Sequence, residues 1–522
     1  MSKTNSKRPL FSKFIRRKIS FLLLGAANLL WAAHASAQLN GTGARPYMGW
    51  TTWSMQAHVA TSEATGDGFQ NETNIRANSD AMRQSGLTAH GFKYINIDGD
   101  WDNGNLCQCG GPTTFDTWGR PVANVVRFPS GMAALAAYIH HNGQKAGIYW
   151  ENGVPPAVYT ANTPILGSTH RVQEIVSQPL VADNNGFYQI DYTKPGAKEY
   201  TASIAQLFAQ WGFDYLKIDF TQVGMAPYGQ NLPIDHRPSI QAYARAIAAT
   251  GRPIYLNLSF AQNHDYASWW QAWSNGRRVD GDVECSRHKC PTSLTQWSNI
   301  LPRFSDLILW TTNAGTARGW NDLDSLEIGN GTNVAYPADT PEILIDSDPA
   351  PTAAVSMSTS PAFVDGLSND ERQTAMTLWS IGNSPLQLGD DLTLLDSFGI
   401  RLLTNDEVIA VDQSGRPGNV VVEGNTPVWA QNLCDGSYYV ALFNLTDAST
   451  QVSVNWSNLG FTGHASVRDL WARQNVSNAA TGYTTTLNAH ASSLLHVRPQ
   501  NPAPPSDWIS CEAETGSPFN SW

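Results

Sequence analysis

The chain has 522 residues, with 33 Lys and Arg against 44 Asp and Glu and a formal net charge of −11. This acidic balance excludes nucleic acid and anionic membrane surfaces as partners, because both demand clustered positive charge. Only 15% of residues are charged while Trp alone numbers 19, which suits a large buried core and a cleft lined with rings.

The first 37 residues read as a signal peptide. "MSKTNSKRPLFSKFIRRKIS" carries seven cations and no acid, and "FLLLGAANLLWAA" follows as an apolar core shorter than a membrane span. "AHASA" then places Ala35 and Ala37 in the small-x-small pattern. Cleavage after Ala37 predicts an exported protein, secreted or periplasmic, with no membrane anchor. It also removes seven of the 33 cations and no acid, which moves the net charge to −18.

Over residues 38–405 strand-like runs alternate with helical ones. The runs are "YMGWTTW", "YINIDGDW", "KAGIYW", "YLKIDF", "IYLNLSF", "VDGDVE", "LILWTT" and "SPLQLG". Between them lie helix-length segments ending at Gly, such as "GMAALAAYIHHNG" and "KEYTASIAQLFAQWG". Eight strands separated by helices predict an α/β fold, a (β/α)8 TIM barrel. The rival doubly wound sheet lacks a GxGxxG after its first strand. An insert over 333–366, rich in Pro, Ala, Ser and Asp, falls after the seventh strand. It reads either as a surface excursion or, through "PEILIDSDPAP", as a wall for longer substrates.

From 406 to 500 the texture changes to short alternating strands: "GNVVVEG", "PVWAQNL", "GSYYVALFNL", "TQVSVNW", "ASVRDLW" and "SSLLHVRP". They predict a C-terminal antiparallel β-sandwich, with a linker and tail over 501–522. Six cysteines in an exported chain predict disulfides. Cys285 with Cys290 would close a small loop, Cys434 with Cys511 would tie down the tail, and the state of Cys107 and Cys109 stays open. With no CxxC pair and no HExxH helix, no metal site and no cofactor is predicted. Oligomeric state is not legible.

In a barrel the active site lies at the C-terminal ends of the strands, and there the acids gather. Asp98 and Asp100 close the second strand, Lys217 and Asp219 the fourth, and Asp282 and Glu284 the sixth. Asp322 and Asp324 follow the seventh, and Asp390 and Asp391 end the eighth. Trp53, Trp101, Tyr149 and Trp150 add rings. Such a rim is the layout a glycosidase needs, with two carboxyl groups flanking the scissile bond and carbohydrate as the partner. Asp322, Asp390 and Asp391 read as caps and loop hydrogen-bonders. Lys217 and Asp219 alternate along a strand and share a face, where the ammonium favours an ionised nucleophile. For the general acid, "RRVDGDVE" leaves Asp280, Asp282 and Glu284 all open.

At these residues the chain resembles glycoside hydrolase family 27, the α-galactosidases or melibiases. The markers are "MGW…W", "GFKYINID", "FDTWGRPVANVVRFPSGMAALAAYIHHNGQKAGIY", "WGFDYLKID", "RRVDGD", "GWNDLDSLEIGN" and "DERQTAMTLWSIGNSPLQLGDDL". The resemblance implies a barrel followed by a β-sandwich and a retaining mechanism. By the family's K-x-D, Asp219 is the nucleophile and Lys217 binds sugar hydroxyls. Asp282, four residues after the sugar-binding Arg278, is the acid/base. Trp53, Asp98 and Tyr149 hold the terminal sugar, and Asp324 is a further acid at the pocket. A retaining pair implies Asp219 and Asp282 about 5–6 Å apart.

The chain also departs from the pattern. Gly99 stands where the family carries a second adjacent Asp, Phe220 and Thr221 follow Asp219 in place of its Cys, and the fifth strand ends "NLSF". The family's Cys after the third strand is also missing. The implied activity is removal of terminal α-linked galactose. An isomalto-dextranase-like action on α-1,6-glucan and a β-L-arabinopyranosidase are alternatives within the family, and a non-catalytic sugar-binding protein is one outside it.

Overall fold

The structure is a computed structural model that describes residues 39–58, 69–102, 114–182, 186–221, 223, 235–285, 290, 293–331 and 364–502. The expected signal peptide, Cys107, Cys109, Cys511 and nearly all of the 333–366 insert and of the 501–522 tail lie outside the described residues.

Eight parallel strands form one sheet: β1 (Met48–Thr51), β2 (Tyr94–Ile97), β3 (Lys145–Glu151), β4 (Tyr215–Asp219), β5 (Tyr255–Leu258), β6 (Gly276–Arg278), β7 (Trp320–Asp322) and β8 (Leu386–Leu388). Their spatial order, β7-β6-β5-β4-β3-β2-β1-β8, is that of a barrel. The seam closes just past β7, where Leu326 N–H donates to Gln387 O at 2.7 Å and Gly389 N–H donates to Leu326 O at 3.1 Å.

Side-chain volume sets the interior. Tyr94, Tyr215, Tyr255 and Trp320 each open a strand, and with Tyr47 they form one buried aromatic layer across the barrel floor. Tyr47 meets Tyr215 and Tyr255 edge-on, and its hydroxyl donates to Gln387 Oε1 at 2.7 Å. One layer up, small residues face large polar ones. A side chain at Gly147 would collide with Asn96 Oδ1, and one at Gly276 with Asn257 Oδ1, so glycine at these two sites makes room for the neighbouring strand's amide.

Helices run where the sequence predicted them. Met132–His141 buries Met132, Leu135, Ala136 and Ile139 on one face. Ala197–Trp211 ends at Gly212, whose φ of 94° is the left-handed turn that glycine adopts without strain. Helix Asn369–Gly382 opens with a capping box between Ser368 and Glu371 and is buried along most of its length. It lies between the barrel and the C-terminal strands, where Thr374 Oγ1 donates to His490 O at 2.7 Å.

Two strand assignments are corrected. "LILWTT" is helical, its first four residues ending the helix Arg303–Trp310 and its two threonines opening a 3-10 turn, because Phe304, Leu307 and Trp310 repeat every three residues and are the buried face. The seventh strand is Trp320–Asp322, so Asp322 lies on it rather than after it. "VDGDVE" is a loop, since the sixth strand ends at Arg278. A short apolar run does not by itself distinguish a buried strand from a helix.

After the barrel, β9 (Asn419–Val422), β10 (Val428–Asn432), β11 (Tyr438–Phe443), β13 (Ala465–Asp469), β14 (Gln474–Ala479) and β16 (Ser492–Pro499) form a six-stranded sheet. β12 (Thr450–Asn455) pairs with β15 (Gly482–Leu487) as a second antiparallel sheet. Val428, Val440, Leu442, Val452, Val454, Leu495 and Val497 fill a core of their own. The six expected strands are present; β14 and β15 were missed because "QNVSNA" and "GYTTTL" carry little apolar alternation. Cys285 and Cys290 are bonded as expected, and Cys434 is disulfide-bonded to a partner outside the described residues.

Candidate active site

The strand ends bring the expected residues together at the barrel mouth. Lys217 donates to Asp98 Oδ2 at 2.8 Å, an ion pair with side chains 12% and 3% exposed. The same ammonium sits 5.4 Å from the centre of the Tyr149 ring and 5.9 Å from that of Trp53. Tyr149 donates its hydroxyl to Asp219 Oδ2 at 3.2 Å, while Phe220 N–H donates to Oδ1 at 2.7 Å. Trp53, Asp98, Tyr149, Lys217 and Asp219 are therefore one cluster. Trp53 begins the helix after β1 instead of sitting on the strand as expected.

Opposite charges act on Asp219. Its enclosure pushes the carboxyl above the usual carboxylate range, and Lys217, the Phe220 N–H and Arg278 pull it back only in part. Burial also works against the Lys217 ammonium, but Asp98 and Asp219 outweigh it and hold that pKa well up.

The second cluster is built on Arg278, at the end of β6. Its guanidinium donates to Asp282 Oδ1 at 2.5 Å and pairs with Asp324 Oδ1 at 3.0 Å. Asp324 is buried with φ of 83°, and its Oδ2 accepts from Val283 N–H at 2.9 Å. Burial raises the Asp324 pKa, but Arg278 and that N–H outweigh it and hold it low. Asp282, by contrast, is 39% exposed.

The three acids of "RRVDGDVE" separate by environment. Asp280 turns away to Arg303. Glu284 is buried and accepts from Ser54 Oγ at 2.7 Å. Asp282 alone is exposed at the mouth while clamped by Arg278. Asp282, Glu284 and Asp324 bring carboxylate oxygens within 4.8 Å of one another, close enough to share a cation. Arg278 already places its positive charge on two of them.

Asp322, Asp390 and Asp391 hold structure. Asp322 accepts from Asn257 Nδ2 at 2.7 Å and from Asp324 N–H at 2.8 Å. Asp390 accepts from the N–H groups of Ile328 and Gly329, and Asp391 caps a short helix through Thr393. Trp101 and Trp150, read as rim aromatics, belong to the core. Both are nearly fully buried and pack on each other and on Phe208. Alternation along β3 explains the split, with Tyr149 facing the mouth and Trp150 the helix layer.

Sequence reading passed over Ser54 and Glu327, which meet beside Glu284: Ser54 Oγ lies 2.8 Å from Glu327 Oε1. The signal was an acid inside the apolar run "LEI", the same anomaly that singled out "KID".

The family model for alpha galactosidase A matches residues 45–163, and that for the alpha galactosidase C-terminal beta sandwich domain matches 423–497. An alpha-galactosidase of Cyamopsis tetragonoloba is 27% identical over 467 residues, 88% of each chain. Alpha-galactosidase 2 of Arabidopsis thaliana is 28% identical over 459 residues, 87% of this chain and 89% of that one. Among solved structures, a family 27 β-L-arabinopyranosidase from Geobacillus stearothermophilus superposes with a TM-score of 0.73 at 28% identity, covering 90% of this chain and 98% of the other. Alpha-galactosidase I from Mortierella vinacea gives 0.63 at 25% identity, covering 90% and 100%. The mouth geometry, the barrel with its β-sandwich and these likenesses agree: the chain is a glycoside hydrolase, and its likenesses support glycoside hydrolase family 27.

Proposed function

We propose that the protein removes terminal α-linked galactose from oligosaccharides or polysaccharides with retention of configuration, as an exported enzyme that needs no metal or cofactor. The observation that carries this reading is the pair of unlike carboxyls at one mouth. Asp219 is enclosed and held by Tyr149 and the Phe220 N–H, whereas Asp282 is exposed and held by Arg278.

Asp219 attacks the anomeric carbon as Asp282, protonated, donates to the departing glycosidic oxygen. Asp282 then takes a proton from water, which attacks the glycosyl ester and releases the sugar and the Asp219 carboxylate. Two inversions give retention. Lys217, Asp98 and Asp324 accept and donate hydrogen bonds to sugar hydroxyls, and Trp53 offers an apolar face.

A second reading, a β-L-arabinopyranosidase, is favoured by the TM-score of 0.73 to an enzyme of that activity. The two sugars share ring configuration and differ by the exocyclic hydroxymethyl group. Side-by-side rates on nitrophenyl α-galactoside, nitrophenyl β-L-arabinopyranoside and dextran decide. The galactoside is expected to be fastest. Activity on dextran alone would overturn the proposal, and sugar binding without hydrolysis would make the protein a lectin.

A further inference from the structure

The strand end that carries Asp98 is tied down by side chains to which the mechanism above gives no part. β2 ends at Ile97, so the carbonyls of Asp98 and Gly99 lie beyond the strand and need donors of their own. Two glutamines supply them. Gln70 Nε2 donates to Asp98 O at 2.7 Å and to Gly99 O at 3.0 Å. Gln56 Nε2 donates to Gly99 O at 2.9 Å and to Asp100 Oδ2 at 3.3 Å. Gln56 is 6% exposed and Gln70 2%.

The hydrogens account for this geometry. A carbonyl only accepts, so each glutamine must turn its NH2 group to the chain rather than its oxygen. Each NH2 group has two hydrogens and makes two of these contacts, and Gly99 O has two lone pairs and takes two donors. Neither amide can rotate away without leaving a buried carbonyl short of a donor, which is costly.

From the backbone the hold passes to the carboxylate. Asp98 N–H donates to Thr52 Oγ1 at 2.9 Å, and that hydroxyl donates to Gln56 Oε1 at 3.3 Å. Gly99 N–H donates to Asp98 Oδ1 at 2.9 Å, which fixes the rotation of the carboxyl and leaves Oδ2 to Lys217 at 2.8 Å. Gln56 lies on the helix Trp53–His58, so one amide also joins the helix that begins with Trp53 to the strand end that carries Asp98. Residue 99 has no side chain and Asp100 is turned to Gln56, so the aim of this strand end rests on Asp98.

We infer that Gln56 and Gln70 are positioning residues that hold the turn 98–100 and thereby aim the Asp98 carboxylate at the sugar. Without either amide the turn relaxes, and Asp98 Oδ2 leaves the place that it shares with Lys217. The inference rests on Asp98 as a sugar-holding group of the proposed function, and the test separates the two.

Gln70→Met keeps the length of the side chain and removes both donors. On whichever nitrophenyl glycoside is cleaved fastest, its kcat/KM should fall about 10- to 100-fold, because a sugar-holding group slightly out of place is expensive. Asp98→Ala should fall at least as far. When the two are combined, the glutamine substitution should cost less than about twofold, since no carboxylate is left to aim. A glutamine that only supports the fold would instead multiply its loss into that of Asp98→Ala and lower the melting temperature equally in both backgrounds. Gln56→Leu should show the same non-additivity and serves if Gln70→Met does not fold.

Losses that multiply in full, or an unchanged kcat/KM in the folded glutamine variant, overturn the inference. If no glycoside is cleaved, the proposed reaction falls, and the same cycle is read as galactose affinity by calorimetry. Affinity losses that fail to multiply then uphold the positioning role, and losses that multiply overturn it. Absence of both hydrolysis and galactose binding overturns both readings.

Discussion

Lys217 donates its hydrogen bond to Asp98 across the barrel at 2.8 Å, while Asp219, two residues along the same strand, accepts from Tyr149 and from the Phe220 N–H. The charge that favours an ionised nucleophile thus reaches Asp219 through space and is anchored elsewhere. Replacing Lys217 with Met should remove that charge and raise the Asp219 pKa further. In the proposed mechanism Asp219 attacks as the carboxylate, so the acid limb of kcat/KM should move to higher pH, with a rate loss of about 10²–10³. An acid limb that stays in place would show that Lys217 serves only to bind sugar.

Asp219→Asn should abolish turnover while sugar binding stays measurable by calorimetry. Asp282→Asn should be selective, since a nitrophenolate leaves without a proton whereas a sugar alkoxide does not. The expected outcome is a far larger loss on raffinose-type substrates than on the nitrophenyl glycoside. The first-formed anomer, read by proton NMR, should be the α form. A β product would point to an inverting pair, with carboxyls roughly 6.5–9.5 Å apart.

Arg278 neutralises Asp324 where both side chains are 3% exposed. Arg278→Met leaves that carboxylate buried without its cation, so unfolding in urea should show a loss of about 3–5 kcal/mol. Adding Asp324→Asn to this variant should recover part of the loss, as the uncompensated charge is then gone.

Dialysis against a chelator should leave both the rate and the melting temperature unchanged, because Arg278 already serves as counter-ion to Asp282 and Asp324. A rate restored by added divalent cation would contradict this.

The insert is entered and left through a clasp. Asp365 N–H donates to Asn330 O at 2.8 Å, Asn330 N–H donates to Asp365 Oδ1 at 2.9 Å, and Val364 bridges to Ser293. Replacing residues 332–363 with a short Gly-Ser link should therefore preserve the melting temperature and the rate on a nitrophenyl glycoside. If the segment serves longer substrates, the rate on galactomannan should fall in the same variant, and equal rates would make it a surface excursion.

Strand alternation, glycine-ended helices and the switch to short alternating strands made the barrel and the sandwich legible in sequence, because each reports a local period that the backbone imposes. The acids and cations that meet at the mouth were legible for a related reason: a charge inside an apolar run such as "YLKIDF" is tolerated only when it is used or paired. Other features belong to the tertiary structure alone. "LILWTT" has the composition of a strand, and only packing on one face made it a helix. Trp150 and Tyr149 are adjacent in sequence, and only the pleat of β3 sent one to the core and the other to the site. Ser54, Glu284 and Glu327 are separated by 230 and 43 positions, and nothing local to any of them shows that they meet. Short-range pattern specifies which element a residue occupies; which charges face each other, and hence which of them ionise, is decided when the closed barrel brings distant strand ends to one rim.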